Sequence, residues 1–235
     1  MESTQRTARL AGLLYLVSSL PAPFALLYVP GRLFVEGNPA ATAERLRNLE
    51  GLLRAGLAAE LFSSIVFLFV ALTLYRLFRP VSPGPALAML VLILISFPIS
   101  FGNVLLELAA RDLAGGGARP AILSFLGPSE SDALAYTAMR LHHQGYMLAQ
   151  IFWGLWLFQF GVCVWRSGFI PRILGILLAI AGCGYVADSF AALVLPRFLP
   201  AVDRVTSFTN LGEVPIILWL LIWGARPRAV GLRTA

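Results

Sequence analysis

PALAMLVLILISFPISFGNVLLELA, residues 85–109, is the stretch whose reading decides the fold. Residues 85–95 carry no polar side chain, and no charge appears before Glu107. At 1.5 Å per residue a helix of this length crosses the ~30 Å hydrocarbon core of a bilayer. Within it Ser96, Ser100, Asn103 and Glu107 recur at i, i+4, i+7 and i+11, which places them in one stripe on one helical face. Lipid offers such a stripe no hydrogen bonds, so it should point into protein. Pro98 lacks an amide and frees a backbone carbonyl beside the stripe.

Working outward, five more stretches have the same character: residues 10–29, 55–77, 142–165, 170–195 and 205–223. Composition agrees. Of 235 residues 58% are hydrophobic and 13% charged, where soluble domains carry about 25% charged residues. Mean hydropathy is +0.80. The expected fold is all-α: a polytopic membrane bundle of six transmembrane helices forming a single integral membrane domain over residues 1–235. Short amphipathic helices are expected in the 30–54 and 111–141 loops.

The net charge of +6 comes from arginine alone, because the chain has no lysine. Arg6, Arg9, Arg76, Arg79, Arg166, Arg172, Arg226 and Arg228 sit at span ends, as lipid headgroup anchors do. No basic recognition stripe is present, so the partner is the lipid bilayer and not nucleic acid. Arginines divide evenly between the two sides, but those on the N-terminal side lie in very short loops with little acid. Short loops weigh most in the positive-inside rule, so both termini are expected in the cytoplasm. Residues 6–25 resemble a secretory signal in outline. Pro23 inside the small-residue site and the apolar run on to Val29 argue for an uncleaved first helix instead. Cys163 and Cys183 lie inside apolar stretches without paired spacing and read as buried free thiols.

Asn38-Pro39 is a helix start, with asparagine as cap and proline at the first helical position. Ala43, Leu46, Leu49 and Leu53 then recur at helical spacing, giving a short amphipathic helix that lies on the membrane surface or extends the second span. In the other loop Gly115-Gly116-Gly117 reads as a flexible linker, since no Gly-Lys-Ser/Thr follows it. Ser129 with Asp132 starts a helix that runs through Tyr136 toward His142.

Threading the spans up and down places Glu60, Glu107, His142, His143, Asp188 and Glu213 in the same half of the bilayer. Ionisable groups there are costly and mark a shared polar cavity by default. Helical periodicity adds neighbours: Ser63 and Ser64 with Glu60, Asn103 with Glu107, Tyr146 and Gln150 with His142, and Thr206 and Asn210 with Glu213. The candidate ligand- or ion-binding residues are therefore Glu60, Asn103, Glu107, His142, Tyr146, Asp188, Asn210 and Glu213. Each has a plainer reading. Glu107 precedes Arg111 by four residues, the favoured order for a helix-end ion pair. His142 and His143 follow Arg140 at a span mouth, where water reaches, and Asp188 and Glu213 could serve only as interhelical hydrogen-bond partners.

Several further stretches together resemble a bacterial multi-span family catalogued as domain of unknown function 4386. They are His142-His143-Gln144-Gly145 with residues 151–157, residues 166–175, Gly184-Tyr185-Val186-Ala187-Asp188-Ser189, and Gly212-Glu213 with Leu218-Trp219-Leu220. The resemblance implies six or seven helices in a bacterial membrane and brings no established activity. His142, Asp188 and Glu213 fall on family positions. The family pattern has a further histidine where this chain has Trp156, which weakens a histidine-rich metal site here.

Three functions compete. A polar cavity open to one side would bind or transport a small ligand, ion or proton, with Pro98 and Pro215 exposing backbone to it. An intramembrane hydrolase would use His142, Asp188 and Glu213 to hold a divalent metal as cofactor and act on a lipid-like substrate. A scaffold would use the same groups only to pair helices. Enzyme activity and oligomeric state are not fixed by the sequence.

Overall fold

The computed structural model describes residues 2–115 and 125–225. In chain order the elements are α1 (Glu2–Ser19), a π-helical turn (Phe24–Tyr28), α2 (Val29–Leu33), α3 (Pro39–Asn48), α4 (Glu50–Phe78) and α5 (Pro83–Leu113). There follow α6 (Pro128–Ser167), α7 (Arg172–Val194), a 3-10 turn (Pro196–Phe198), α8 (Leu199–Thr209), a second 3-10 turn (Asn210–Glu213) and α9 (Val214–Ile222). No strand occurs among the described residues. Six stretches are long and apolar enough to cross a membrane: Ser3–Leu33, Glu50–Phe78, Pro83–Leu113, Pro128–Ser167, Arg172–Val194 and Pro196–Ile222. The protein is a multi-pass membrane protein, with six such helices among the described residues. The glycine linker at 115–117 falls largely outside the described residues.

The spans read as lipid-immersed from their exposed faces. On α4 Phe62, Ile65 and Phe69 are exposed at i, i+3 and i+7, and on α5 Leu87, Val91, Leu94, Phe101 and Leu105 are exposed. In water such faces would associate; hydrocarbon solvates them. α5 continues through Pro98 without a break.

Two of the spans are not continuous α-helices, and the last breaks beside Pro215 as expected. In the first, Pro21 and Pro23 donate no amide, and the chain bends after Ser19 before resuming as the π-turn. In the last, Pro215 cannot bond the carbonyl of Leu211, and the Val214 amide reaches that carbonyl instead, tightening the helix to 3-10 form. Gly212 seats this break on α7: a Cβ there would lie 2.7 Å from the Leu177 carbonyl oxygen. α9 restarts with Glu213 as its N-cap residue.

Contacts gather into two compact units. Unit 1 comprises residues 1–16, 66–95 and 150–235, and unit 2 comprises 17–65 and 96–149. In unit 1, α6 and α7 meet at glycine pairs. A Cβ on Gly161 would lie 2.7 Å from the Gly175 oxygen, and one on Gly154 2.8 Å from the Gly182 oxygen. Both pairs repeat at seven-residue spacing in antiparallel register, so the two backbones touch along a seam. α1 runs beside α9: Gln5 Nε2 donates to the Trp223 carbonyl at 2.7 Å and Arg9 to the Ile222 carbonyl at 3.3 Å. These contacts satisfy carbonyls that a helix end leaves unpaired. A side chain at Gly12 would collide with the backbone at Leu221. Cys163 is buried as expected, whereas Cys183 is exposed on the apolar face of α7.

Unit 2 has a core of its own, including Val29, Leu33, Ala43, Leu46, Leu53, Leu57, Ala110, Ala135 and Met139. Asn38 caps α3 as expected, its side chain accepting the Ala41 amide at 3.0 Å. The apolar face of α3 packs into this protein core, and a single residue, Leu49, separates α3 from α4, so the short helix expected in the 30–54 loop is present. Leu49, expected on that face, is exposed. Arg47 joins three elements, donating to Asp132 Oδ1 and to the Ala114 carbonyl, both at 3.0 Å. Asp132 is thereby used as a partner for α3, and the start of α6 is set otherwise. Pro128 occupies its first position, and Glu130 Oε2 accepts the Gly127 amide at 2.9 Å, the back-reaching arm of a capping box. α6 then runs 40 residues, about 60 Å, well beyond what one bilayer crossing needs.

Candidate functional site

The polar stripe of α5 points inward. Ser96, Asn103 and Glu107 are buried, with Glu107 only 3% exposed, while Phe101 and Leu105 on the other side of the helix are exposed. Ser100 is half-buried. α6 brings His142, 6% exposed, against this stripe. Its Nδ1 lies 3.2 Å from the Asn103 carbonyl oxygen and its Nε2 3.5 Å from Glu107 Oε1. A carbonyl only accepts, so Nδ1 carries a proton and donates. Nε2 then faces the carboxyl group, and a lone pair there against a bare carboxylate would repel. The two groups accordingly hold one proton in common, as imidazolium and carboxylate or as imidazole and carboxylic acid.

Close approach of α5 and α6 depends on Gly145, three residues beyond His142, because a Cβ there would run into the Asn103 side chain. Glu60, half-buried on α4, feels the charges of both Glu107 and His142. Three residues on, Ser63 Oγ is shielded from the surface and has no hydrogen-bond partner among the described residues. His143 is exposed and feels His142 and Glu36. Tyr146 is half-buried one turn from His142. The helix-end pair expected between Glu107 and Arg111 does not form: Arg111 pairs with Asp112 at 2.7 Å. Glu60, Asn103, Glu107, His142 and Tyr146 thus all belong to unit 2.

Asp188 and Glu213 belong to unit 1. Glu213 receives a phenol on each oxygen, Tyr15 on Oε2 and Tyr185 on Oε1, the latter at 2.8 Å. Its position at the N-terminus of α9 adds the favourable end of the helix dipole. Tyr15 packs edge-on against Phe67 and Trp156, with ring centroids at 5.6 and 5.9 Å. The Trp156 indole N–H, buried among these rings, has no hydrogen-bond partner. Asp188, one turn from Tyr185 on α7, accepts the Thr206 hydroxyl from α8. The Asn210 side chain lies outside the described residues. Periodicity singles out Glu213 and Asp188 but not Tyr15 or Trp156. An aromatic residue in an apolar span gives the same pattern whether it packs in a core, faces lipid or donates a hydrogen bond.

Among the described residues no group of three or more His, Cys, Asp or Glu comes together as a metal site. The divalent-metal set of His142, Asp188 and Glu213 therefore gains no support from the geometry.

A family model described as a domain of unknown function, DUF4386, matches residues 10–224. The chain belongs to the DUF4386 family. An uncharacterized protein of Archaeoglobus fulgidus is similar at 38% identity over 79 residues, which are 34% of this chain and 46% of that protein. The match spans less than half of the relative's length. No solved structure matches the chain.

Proposed function

We propose that this DUF4386 protein binds and moves a small cation, a proton in the first instance, through the cluster of Glu60, Glu107 and His142. The observation that carries the reading is the buried Glu107–His142 contact, Nε2 to Oε1 at 3.5 Å, with Glu60 in electrostatic range. A buried carboxylate–imidazole pair is a poor device for stability, because apolar side chains of the same volume often serve as well or better. Ionisable groups inside membrane spans mark ion and proton paths. The orphan hydroxyl of Ser63 on the Glu60 face supplies a further polar atom for a hydrated cation or for water. Discontinuous first and last spans fit the same class, since transporters use broken helices to bring backbone and helix ends to a site. In this reading the protein lies in a bacterial cytoplasmic membrane with both termini in the cytoplasm, on the side of the short Arg76–Arg79 and Arg166–Arg172 turns.

The test is proton flux into liposomes that hold the purified protein and a trapped pH-sensitive dye, driven by an imposed potassium diffusion potential. Wild type should acidify the lumen faster than protein-free vesicles. Glu107→Gln and Glu60→Gln, which keep shape and lose charge, should remove the difference while the proteins remain folded. Equal flux in wild type, both variants and empty vesicles would return the cluster to a helix-pairing role.

A further inference from the structure

On the outer face of α6 and α7 lies an open apolar groove of about 370 Å³, lined by Phe158, Gly161, Val162, Trp165, Ile176, Ala179 and Ile180 among others. Its floor is the backbone contact at Gly161 and Gly175, where a side chain on either helix would collide with the other. Its walls are the side chains of Trp165, Ile176 and Ile180, all more than 40% exposed. At the end nearest the α6–α7 turn, the Arg172 guanidinium stands 5.1 Å over the Trp165 ring. Arg166 is exposed beside it, and residues 133–187 contain no acid to neutralise either arginine. Arg172 makes no ion pair among the described residues.

We propose that this groove is a binding site for one acyl chain of an anionic phospholipid whose phosphate is held by Arg172 at the rim. The two halves of the site match the two halves of that molecule: an uncharged channel within the hydrocarbon region, and an uncompensated cation backed by tryptophan at the headgroup level. The α7 residues that line the channel, from Gly175 to Cys183, run for about 12 Å of helix. That is far shorter than the contact a second membrane helix makes across a ~30 Å core, and wide enough for one extended hydrocarbon chain.

Native mass spectrometry of the full-length protein in mild detergent tests this, with phosphatidylglycerol and phosphatidylcholine of identical chains as probes. Wild type should retain one phosphatidylglycerol in preference to phosphatidylcholine. Arg172→Gln, an exposed change, should weaken phosphatidylglycerol retention about fivefold, the worth of one arginine near an anionic surface, and leave phosphatidylcholine unaffected. Ala179→Trp, which fills the channel from its wall, should weaken both lipids. Gel filtration and circular dichroism verify folding, and if Ala179→Trp fails to fold, Arg172→Gln alone decides. Equal retention of the two lipids by wild type, or retention unchanged by Arg172→Gln, would overturn the proposal. So would efficient bismaleimide cross-linking of Cys183 between two copies in lipid-replete bilayers, because a second copy would then cover the groove.

Discussion

Glu107 and His142 face each other at 3.5 Å across α5 and α6, and the Asn103 carbonyl holds the far side of the imidazole at 3.2 Å. The separation exceeds an ordinary N–H···O bond, and a shift of a few tenths of an ångström would close it to one. Both side chains are almost fully buried.

Removing one partner should therefore cost more than removing both. Glu107→Ala or His142→Ala alone is expected to destabilise the protein by about 3–5 kcal/mol, the usual result of leaving a buried charge unpaired. The double variant Glu107→Leu/His142→Phe should recover most of that loss. Thermal unfolding in detergent completes the double-mutant cycle, and additive losses would show that the two groups do not interact.

The carboxylate of Glu213 should lose stability stepwise as its phenols are removed. Tyr15→Phe and Tyr185→Phe each delete one hydrogen bond to the Glu213 carboxyl group, worth about 0.5–1.5 kcal/mol for an ordinary hydrogen bond. Tyr15→Phe also keeps the ring against Phe67 and Trp156, so its effect isolates the hydroxyl. Melting temperatures of the two single variants check this, and no change in either would place the carboxylate on other partners.

Glycines of the α6–α7 seam should behave oppositely to a glycine with open space. Gly161→Ala and Gly182→Ala put a methyl group within 2.7 Å of a carbonyl oxygen on the facing helix and should lower the melting temperature. Gly102→Ala in α5 meets nothing within 4 Å and should be neutral or stabilising by up to about 1 kcal/mol through helix propensity.

With six spans, single cysteines at Gly115 and Arg228 should label from opposite sides of the membrane in a Cys163→Ala/Cys183→Ala background. Labelling of both from the same side would require an even number of crossings between them.

Sequence alone made the bundle and much of its polar interior legible, for a physical reason. A stripe such as Ser96–Ser100–Asn103–Glu107 carries its own period, and lipid leaves it one direction to face. The Asn38 cap was legible because its chemistry is local. The start of α6 was harder: Ser129-Asp132 and Gly127-Glu130 both have cap spacing, and only the tertiary demand of Arg47 for Asp132 separates them. The breaks at Pro21–Pro23 and Gly212–Pro215 were written in glycine and proline, but the same residues also occur in helices that stay intact, as Pro98 does in α5. The phenols on Glu213 come from positions 198 and 28 residues away, and no local pattern encodes that pairing.

The junction of α1 with α9 sets an order on biogenesis. Gln5 and Trp223 are separated by 218 residues, so the sixth of these spans docks on the first only after the four between them have been made. Until then the Gly12 face of α1 and the Tyr15 hydroxyl wait in the bilayer without the backbone and carboxylate that later meet them. Closure over so long an interval comes late in any folding route, since its entropic cost precedes its contacts. A chain stopped before Glu213 would hold five of the six spans and leave Tyr15 without its carboxyl partner.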